Sequence, residues 1–289
     1  MKIAVIGANG QVGSEIVGAA KDARMTVLAL TRADCDVTDP KSLARAFASL
    51  SEGDVVVNTA AFHRTDECEH HPDLAVRVNA SGAFACANAA RERGAAIAYI
   101  STDFVFEGVK STPYVESDAP RPLGVYGATK AAGEALVAAT NPLHYVARLS
   151  SVFGVAGSSG KGGNFVETML RLAREGKRPR VVSDIVMSPT SARDAARLLV
   201  ELIELRAAPG TYHLANEGGC SWLEFADAIF EESGSSLRAT PVKSAEHVAR
   251  SPRPAYSVLA SEKLAALGLA ARPWRAGLHD YLLAKGHIA

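Results

Sequence analysis

Six short runs of branched apolar residues recur along the chain: KIAVIG from residue 2, TVLALT from 26, DVVVNTA from 54, AAIAYIS from 95, HYVARLS from 144 and TYHLAN from 211. They show little polar alternation, which marks strands covered on both faces rather than on one. Between them stand VGSEIVGAA, PKSLARAFASL, HPDLAVRVNASGAFACANAARERG and TKAAGEALVAAT, whose apolar residues recur at helical spacing. Strand and helix in alternation predict an α/β protein, a Rossmann-type doubly wound parallel sheet with helices on both faces. The pattern changes after Ser150. GVAGSSGKGGN reads as a glycine and serine loop, FVETMLRLAREG as a helix, and TSARDAARLLVELIEL as a helix that returns to the sheet. From Glu217 onward, SWLEFADAIFEESG and SEKLAALG predict a small helical lobe.

Composition narrows the picture. The 289 residues are 48% hydrophobic, enough for one large core and a smaller one. Lysine plus arginine number 31 and the acids 31, so no net field draws the chain to nucleic acid or an anionic membrane. Cys35, Cys68, Cys86 and Cys220 form no CxxC, which fits free thiols in a reducing compartment, and the expected location is the cytoplasm. The N-terminal apolar run is too short for a signal peptide and no 18-residue apolar stretch exists, so no membrane partner is expected.

The first motif with chemistry is Gly7-Ala8-Asn9-Gly10-Gln11-Val12-Gly13, between the first strand and the first helix. Glycines there allow a tight turn and let a pyrophosphate approach the helix N-terminus, whose free amides favour anions. The spacing GxxGxxG in this context predicts a dinucleotide site. The later GVAGSSGKGG is not a phosphate loop, because Val155 and Gly162 stand where glycine and Ser or Thr belong; it is expected to cover the substrate. At the end of the second strand, Thr31 and Arg32 occupy the place where an acid would bind an unmodified ribose. Arg32 therefore favours NADPH, with NADH possible, and Asp36 and Val37 border the adenine.

Tyr126 and Lys130 lie four residues apart and share a helix face. A cation beside a phenol favours the phenolate, which would bring Tyr126 toward the working range as a proton donor. The fourth strand run ends in Ser101-Thr102-Asp103, and ligands of parallel sheets bind at the carboxyl ends of strands. Thr102 could then bond the carbonyl oxygen that Tyr126 protonates, or simply cap a turn. Other candidates carry no chemistry. His70 and His71 beside Cys68 and Glu69 are poorly aimed for a metal, His213 reads as a hydrogen-bonded core residue, and Trp222 and Phe225 read as lobe packing.

Gly7/Gly10/Gly13, NTAA at 58–61, Asn79, STDFVFEG at 101–108, YGATK at 126–130, RLSSVFG at 148–154, GGNFVETMLRLA at 162–173 and SPT at 188–190 together resemble the extended short-chain dehydrogenase/reductases. Within them the order is similar to the dTDP-4-dehydrorhamnose reductase family. The resemblance implies NAD(P)H-dependent reduction of a ketone on a nucleotide-linked deoxysugar, by a monomer or homodimer. It implies Thr102, Tyr126 and Lys130 as catalytic positions, and cofactor contacts from Gly10, Gln11, Val12, Asp36, Val37, Ala61, Phe62 and His63 beside Gly7, Gly13 and Arg32. Substrate contacts fall on Thr102, Asp103, Ser151, Asn164 and Arg253. Residues 1–150, with a returning helix and strand at about 190–215, form the expected dinucleotide-binding domain; 151–189 and 216–289 form the substrate-binding lobe.

Several residues depart from the family pattern. Ser151 stands where relatives commonly carry tryptophan against the sugar, so an apolar wall is expected to be missing. Asp184-Ile185-Val186-Met187 lacks the usual DQ and glycine, and His63 replaces a threonine near the nicotinamide. Glu15 matches a metal-holding glutamate of some relatives, but Arg193 falls on another and would repel the ion, so no metal site is expected. The alternative reading is a non-catalytic, cofactor-binding regulatory subunit, resembling the methionine adenosyltransferase beta subunit. A dehydratase is disfavoured because Phe104, not a second acid, follows Asp103.

Overall fold

The computed structural model describes residues 1–157, 163–246 and 251–289. The six apolar runs are the six strands of one parallel sheet: β1 (Lys2–Ile6), β2 (Thr26–Leu30), β3 (Val55–Asn58), β4 (Ala96–Thr102), β5 (His144–Leu149) and β6 (Gly210–His213). Their order is β6-β5-β4-β3-β1-β2. The chain starts mid-sheet, runs outward through β2, then crosses back to β3 beside β1. That reversal leaves a crevice at the carboxyl ends of β1 and β3, the usual place for a ligand in such sheets.

The helices are α1 (Gln11–Asp22), α2 (Pro40–Ala46), α3 (Thr65–His70), α4 (Pro72–Val76), α5 (Gly82–Glu92), α6 (Val125–Thr140), α7 (Phe165–Arg174), α8 (Ala192–Glu204), α9 (Trp222–Glu232), α10 (Glu262–Ala266) and α11 (Trp274–Ala284). Successive side chains of a strand point to opposite faces. Ile3 and Val5 of β1 accordingly pack with Ile16 of α1 and Leu199 and Leu202 of α8, while Ala4 and Ile6 pack with Phe47, Cys86 and Ala87 on the other side. Two cores, one on each face, explain why the strands read as continuous apolar runs.

The helical stretch from residue 71 is not uniform. Arg77–Ser81 form a π turn between α4 and α5. The turn brings Asn79 fully inward, where its amide accepts from Phe62 N (2.8 Å) and donates to Phe62 O (3.0 Å) and Thr129 Oγ1 (3.1 Å). A buried amide needs such partners, and the irregular turn positions it for them.

The lobe has its own core, in which Phe153, Val166 and Met169 meet Phe225, Phe230, Leu278 and Tyr281. It is joined to the sheet layer by short pairings such as Val152–Phe153 with Thr190–Ser191. No helix among the described residues is long and apolar enough to cross a membrane. All four cysteines are buried, and none is joined in a disulfide.

Candidate active site

A cleft of about 790 Å³ runs from the glycine turn, across the ends of β1, β3 and β4, to the lobe. At its first end the chain leaves β1 through Gly7, whose φ of +76° suits glycine, and where a Cβ would stand 2.5 Å from Thr59 Oγ1. Gly10 precedes α1 in extended conformation, no side chain caps the helix, and the first intrahelical bond is Ser14 N to Gly10 O. The leading amides of α1 are thus left for a ligand. Gly13 is the tightest position, since a Cβ there would overlap the Gly7 carbonyl; one on Gly10 would meet only Gly7 O at 3.2 Å. Gln11 donates to Val152 O (2.9 Å), but its Oε1 is buried with no hydrogen-bond partner. A glycine cradle beside uncapped amides and an orphaned buried acceptor fit a phosphate-linked dinucleotide with donor groups of its own.

Arg32, Asp36 and Val37 border the same end, with Val12, Ala61, Phe62 and His63 along the floor. Arg32 is exposed. The Asp36 carboxylate accepts from Thr38 N (2.9 Å) and Thr38 Oγ1 (2.7 Å), which hold its pKa below the usual range; Arg32 acts in the same direction. Asp36 therefore fixes its own turn as well as lining the cleft.

Tyr126, in the first turn of α6, faces the end of β4 and meets Phe104 edge to face at 5.6 Å. Of the two roles that the sequence allows for Thr102, the structure shows the cap. Thr102 caps the short 3₁₀ turn Asp103–Val105 by accepting from Phe104 N (3.2 Å), it donates to Asp103 Oδ1 (3.0 Å), and it acts on the Tyr126 phenol against the rise in its pKa. Asp103 is buried with its oxygens ringed by hydroxyls from Thr102 (3.0 Å), Ser150 (2.8 Å) and Ser257 (2.6 Å). Burial raises its pKa and the three donors resist that rise.

One expectation is corrected here. Lys130 does not lower the Tyr126 pKa: the phenol is pushed up, chiefly by burial, and the group that opposes this is Thr102. The lysine side chain instead turns under the sheet, donating to Ile100 O (2.6 Å) with its nitrogen 3.9 Å from the centre of the Tyr99 ring. The helix face was read correctly; the direction of the side chain was decided by the strand carbonyl. Burial lowers the Lys130 pKa to about 7.

At the far end, Ser151 adopts a left-handed φ of +45° beside the cleft. Asn164 caps α7 by accepting from Glu167 N (3.1 Å), and donates to Gly154 O (3.2 Å) and Tyr281 Oη (3.1 Å). Arg253 is exposed along the cleft, two residues after Ser251, whose amide is tied to Asp66 Oδ1 (3.0 Å). Residues 158–162 of the glycine and serine loop expected over the substrate lie outside the described residues. Aromatic rings also border the cleft: Phe165 and Trp222 meet at 4.7 Å, and Phe165 stacks on Phe225 at 5.7 Å. Trp222 and Phe225 are thus cleft residues as well as lobe packing. Their helical spacing signalled only an apolar face; nothing local showed that this face closes over the end of a distant sheet. Glu15, half-buried, has its pKa raised by burial, with Arg193 acting against the rise.

Known proteins share this arrangement over its whole length. A Bacillus subtilis protein, "Spore coat polysaccharide biosynthesis protein SpsK", is 41% identical across 97% of this chain and 96% of its own. A Mycolicibacterium smegmatis dTDP-4-dehydrorhamnose reductase is 40% identical across 98% of this chain and 85% of its own. Among solved structures, a dTDP-4-dehydrorhamnose reductase of Bacillus anthracis in complex with NADP superposes with a TM-score of 0.92 at 32% identity, covering 98% of this chain and 99% of that one. With a match from residue 1 to 285, the chain belongs to the family described as the RmlD substrate binding domain.

Proposed function

We propose that this chain reduces a keto group on a nucleotide-linked deoxysugar, in the manner for which its dTDP-4-dehydrorhamnose reductase relatives are named. The observation that carries the reading is that Thr102, Tyr126 and Lys130 line the same cleft as the glycine cradle. NADPH, when bound, supplies the hydride for the ketone carbon. Tyr126 gives a proton to the ketone oxygen as charge develops there, and its raised pKa keeps that proton on the phenol until then. Thr102 orients the phenol, and Lys130 holds the nicotinamide ribose from beneath.

The amides of Gln11, Val12 and Gly13 take the pyrophosphate, and Arg32 takes the ribose phosphate that separates NADPH from NADH. Phe165 and Trp222 cover the apolar part of the sugar nucleotide while Arg253 meets its diphosphate. In this reading residues 1–150 and about 190–215 hold the cofactor, and 151–189 with 216–289 hold the substrate. The protein acts in the cytoplasm as a monomer or homodimer, a placement supported by thiols joined in no disulfide and by its equal numbers of basic and acidic side chains.

NADPH oxidation measured with a panel of dTDP-, UDP- and GDP-linked 4-keto-6-deoxysugars tests the proposal. Turnover with at least one member is expected. NADPH binding without turnover on any of them would favour the regulatory-subunit reading instead.

A further inference from the structure

Behind the cleft lies a row of buried charges that the reaction, as described, does not use. Glu134 follows Lys130 by four residues on α6 and shares its inward face. Its carboxylate receives Arg148 Nε (2.9 Å) and Nη2 (2.7 Å) from β5 and the Ser101 hydroxyl (2.5 Å) from β4. Arg148 continues the row, with Nη1 donating to His213 Nε2 (3.4 Å) on β6 while the other ring nitrogen of His213 faces Ala260 O (2.9 Å). Phe106 lies 5.0 Å beneath the guanidinium. Lys130, Glu134, Arg148 and His213 are all buried.

We propose that Glu134, with Arg148 set against it, is a positioning residue for the reaction: it keeps the Lys130 ammonium charged inside the fold and locks α6 to β4 behind Tyr126 and Thr102. This rests on the reading of Lys130 as a cofactor-holding residue. Three observations support it. A buried ion pair adds little stability over apolar packing of the same shape, so stability alone does not account for this one's place one turn beyond Lys130. Second, Lys130 and Glu134 grip consecutive residues of β4, at Ile100 O and Ser101 Oγ, immediately before Thr102. Third, of the ionisable groups around Lys130, it is Glu134 that opposes the burial penalty on the ammonium. The Tyr99 ring lies against the ammonium, and Tyr126, Glu134 and Cys86 act in turn on Tyr99. Arg148, a cation held against the Glu134 carboxylate, must weaken the pull of that carboxylate on Lys130.

The two partners therefore have opposite effects on Lys130, although loss of either should weaken the fold. Lys130 can be titrated directly by NMR of ¹³C-labelled lysine side chains, alongside NADPH affinity as a function of pH. In Glu134→Gln the Lys130 midpoint should fall by about 1 pH unit or more, and NADPH affinity should weaken at lower pH than in the wild type. In Arg148→Met the midpoint should rise. If Arg148→Met does not fold, the same change made on the Glu134→Gln background must still raise the midpoint relative to Glu134→Gln alone. Midpoints that move together, or do not move, would overturn the proposal and leave the pair purely structural. Lys130→Met separates the two levels. If it costs neither turnover nor NADPH affinity, the underlying reading of Lys130 fails; if it costs both while the Glu134→Gln midpoint stays at the wild-type value, only the role of Glu134 fails.

Discussion

The two ends of the cleft are built from different materials. The cofactor end is made of backbone: the Gly7 turn, the uncapped amides of α1 and the chain from Thr59 to His63. The end proposed for the substrate is made of side chains, with Phe165, Trp222 and Phe225 brought to the cleft by the lobe. A site made of backbone tolerates no added atoms, because the chain itself must come close to the ligand. One made of side chains can lose a large group in one place and recover it from another. Ser151 and Trp222 illustrate the second case: the cleft has an apolar surface at Trp222 although Ser151 offers none.

The largest expected effect lies at the seam between the ends. Tyr126→Phe keeps the ring and removes the proton, so turnover should fall by ~10²–10⁴-fold with NADPH affinity retained. Single-turnover rates of wild type and variant measure this, and similar rates would remove Tyr126 from the mechanism.

Next comes a contrast within the cofactor end. Gly13→Ala forces a Cβ into the Gly7 carbonyl, whereas Gly10→Ala adds only a close contact to the same atom. Overpacking of this kind costs ~1–3 kcal/mol, so Gly13→Ala should lose NADPH binding and lower the melting temperature, with Gly10→Ala the milder of the two in stability. Equal thermal stability of both variants would mean that the turn is not the rigid cradle described above. Arg32→Ala should follow. A well-formed charge-assisted contact is worth ~1.5–3 kcal/mol, and an exposed arginine gives the lower part of that range. The kcat/KM preference for NADPH over NADH should shrink by about tenfold; an unchanged ratio would show that Arg32 does not read the ribose phosphate.

At the substrate end the effect should be smaller, because neighbouring rings remain. Trp222→Ala removes one aromatic contact of ~0.5–1.5 kcal/mol, so KM for the sugar nucleotide should rise by roughly 3–10-fold with kcat little changed. A loss in kcat alone would indicate that Trp222 acts on the chemistry rather than on binding. The smallest effect at neutral pH belongs to His213, whose pKa is lowered from 6.5 to about 3 by burial and the neighbouring Arg148. Because the folded pKa is the lower one, the unfolded chain takes up the proton first. Stability is then unaffected above about pH 6.5 and falls as the pH drops from there toward about 3. His213→Gln should flatten the fall over that window in urea titrations, and an unaltered slope would assign the acid sensitivity to other groups.

Much of the molecule was legible in the chain because its information is local. Each of the six strands lies where an uninterrupted apolar run stands, since a strand covered on both faces needs no polar alternation. The glycine turn was legible for a related reason: φ at Gly7 and the approach of Gly13 to Gly7 O are demands that a single residue type answers. The π turn at Arg77–Ser81 was not legible, because helical spacing continues through it and the buried partners of Asn79 lie at Phe62 and Thr129.

What the sequence by itself determined was the order of elements, the doubly wound sheet, the glycine turn before α1 and the shared face of Tyr126 and Lys130; each depends on residues within a turn or a strand of one another. Tertiary structure alone decided where those side chains point and what surrounds them. Lys130 reaches Ile100 O rather than the Tyr126 phenol because β4 runs beneath α6, Glu134 meets Arg148 because β5 lies beside β4, and Trp222 borders the cleft because α9 folds back over the carboxyl end of the sheet. Direction and pKa depend on neighbours distant in sequence, and burial by those neighbours holds the proton on Tyr126 while bringing Lys130 near neutrality.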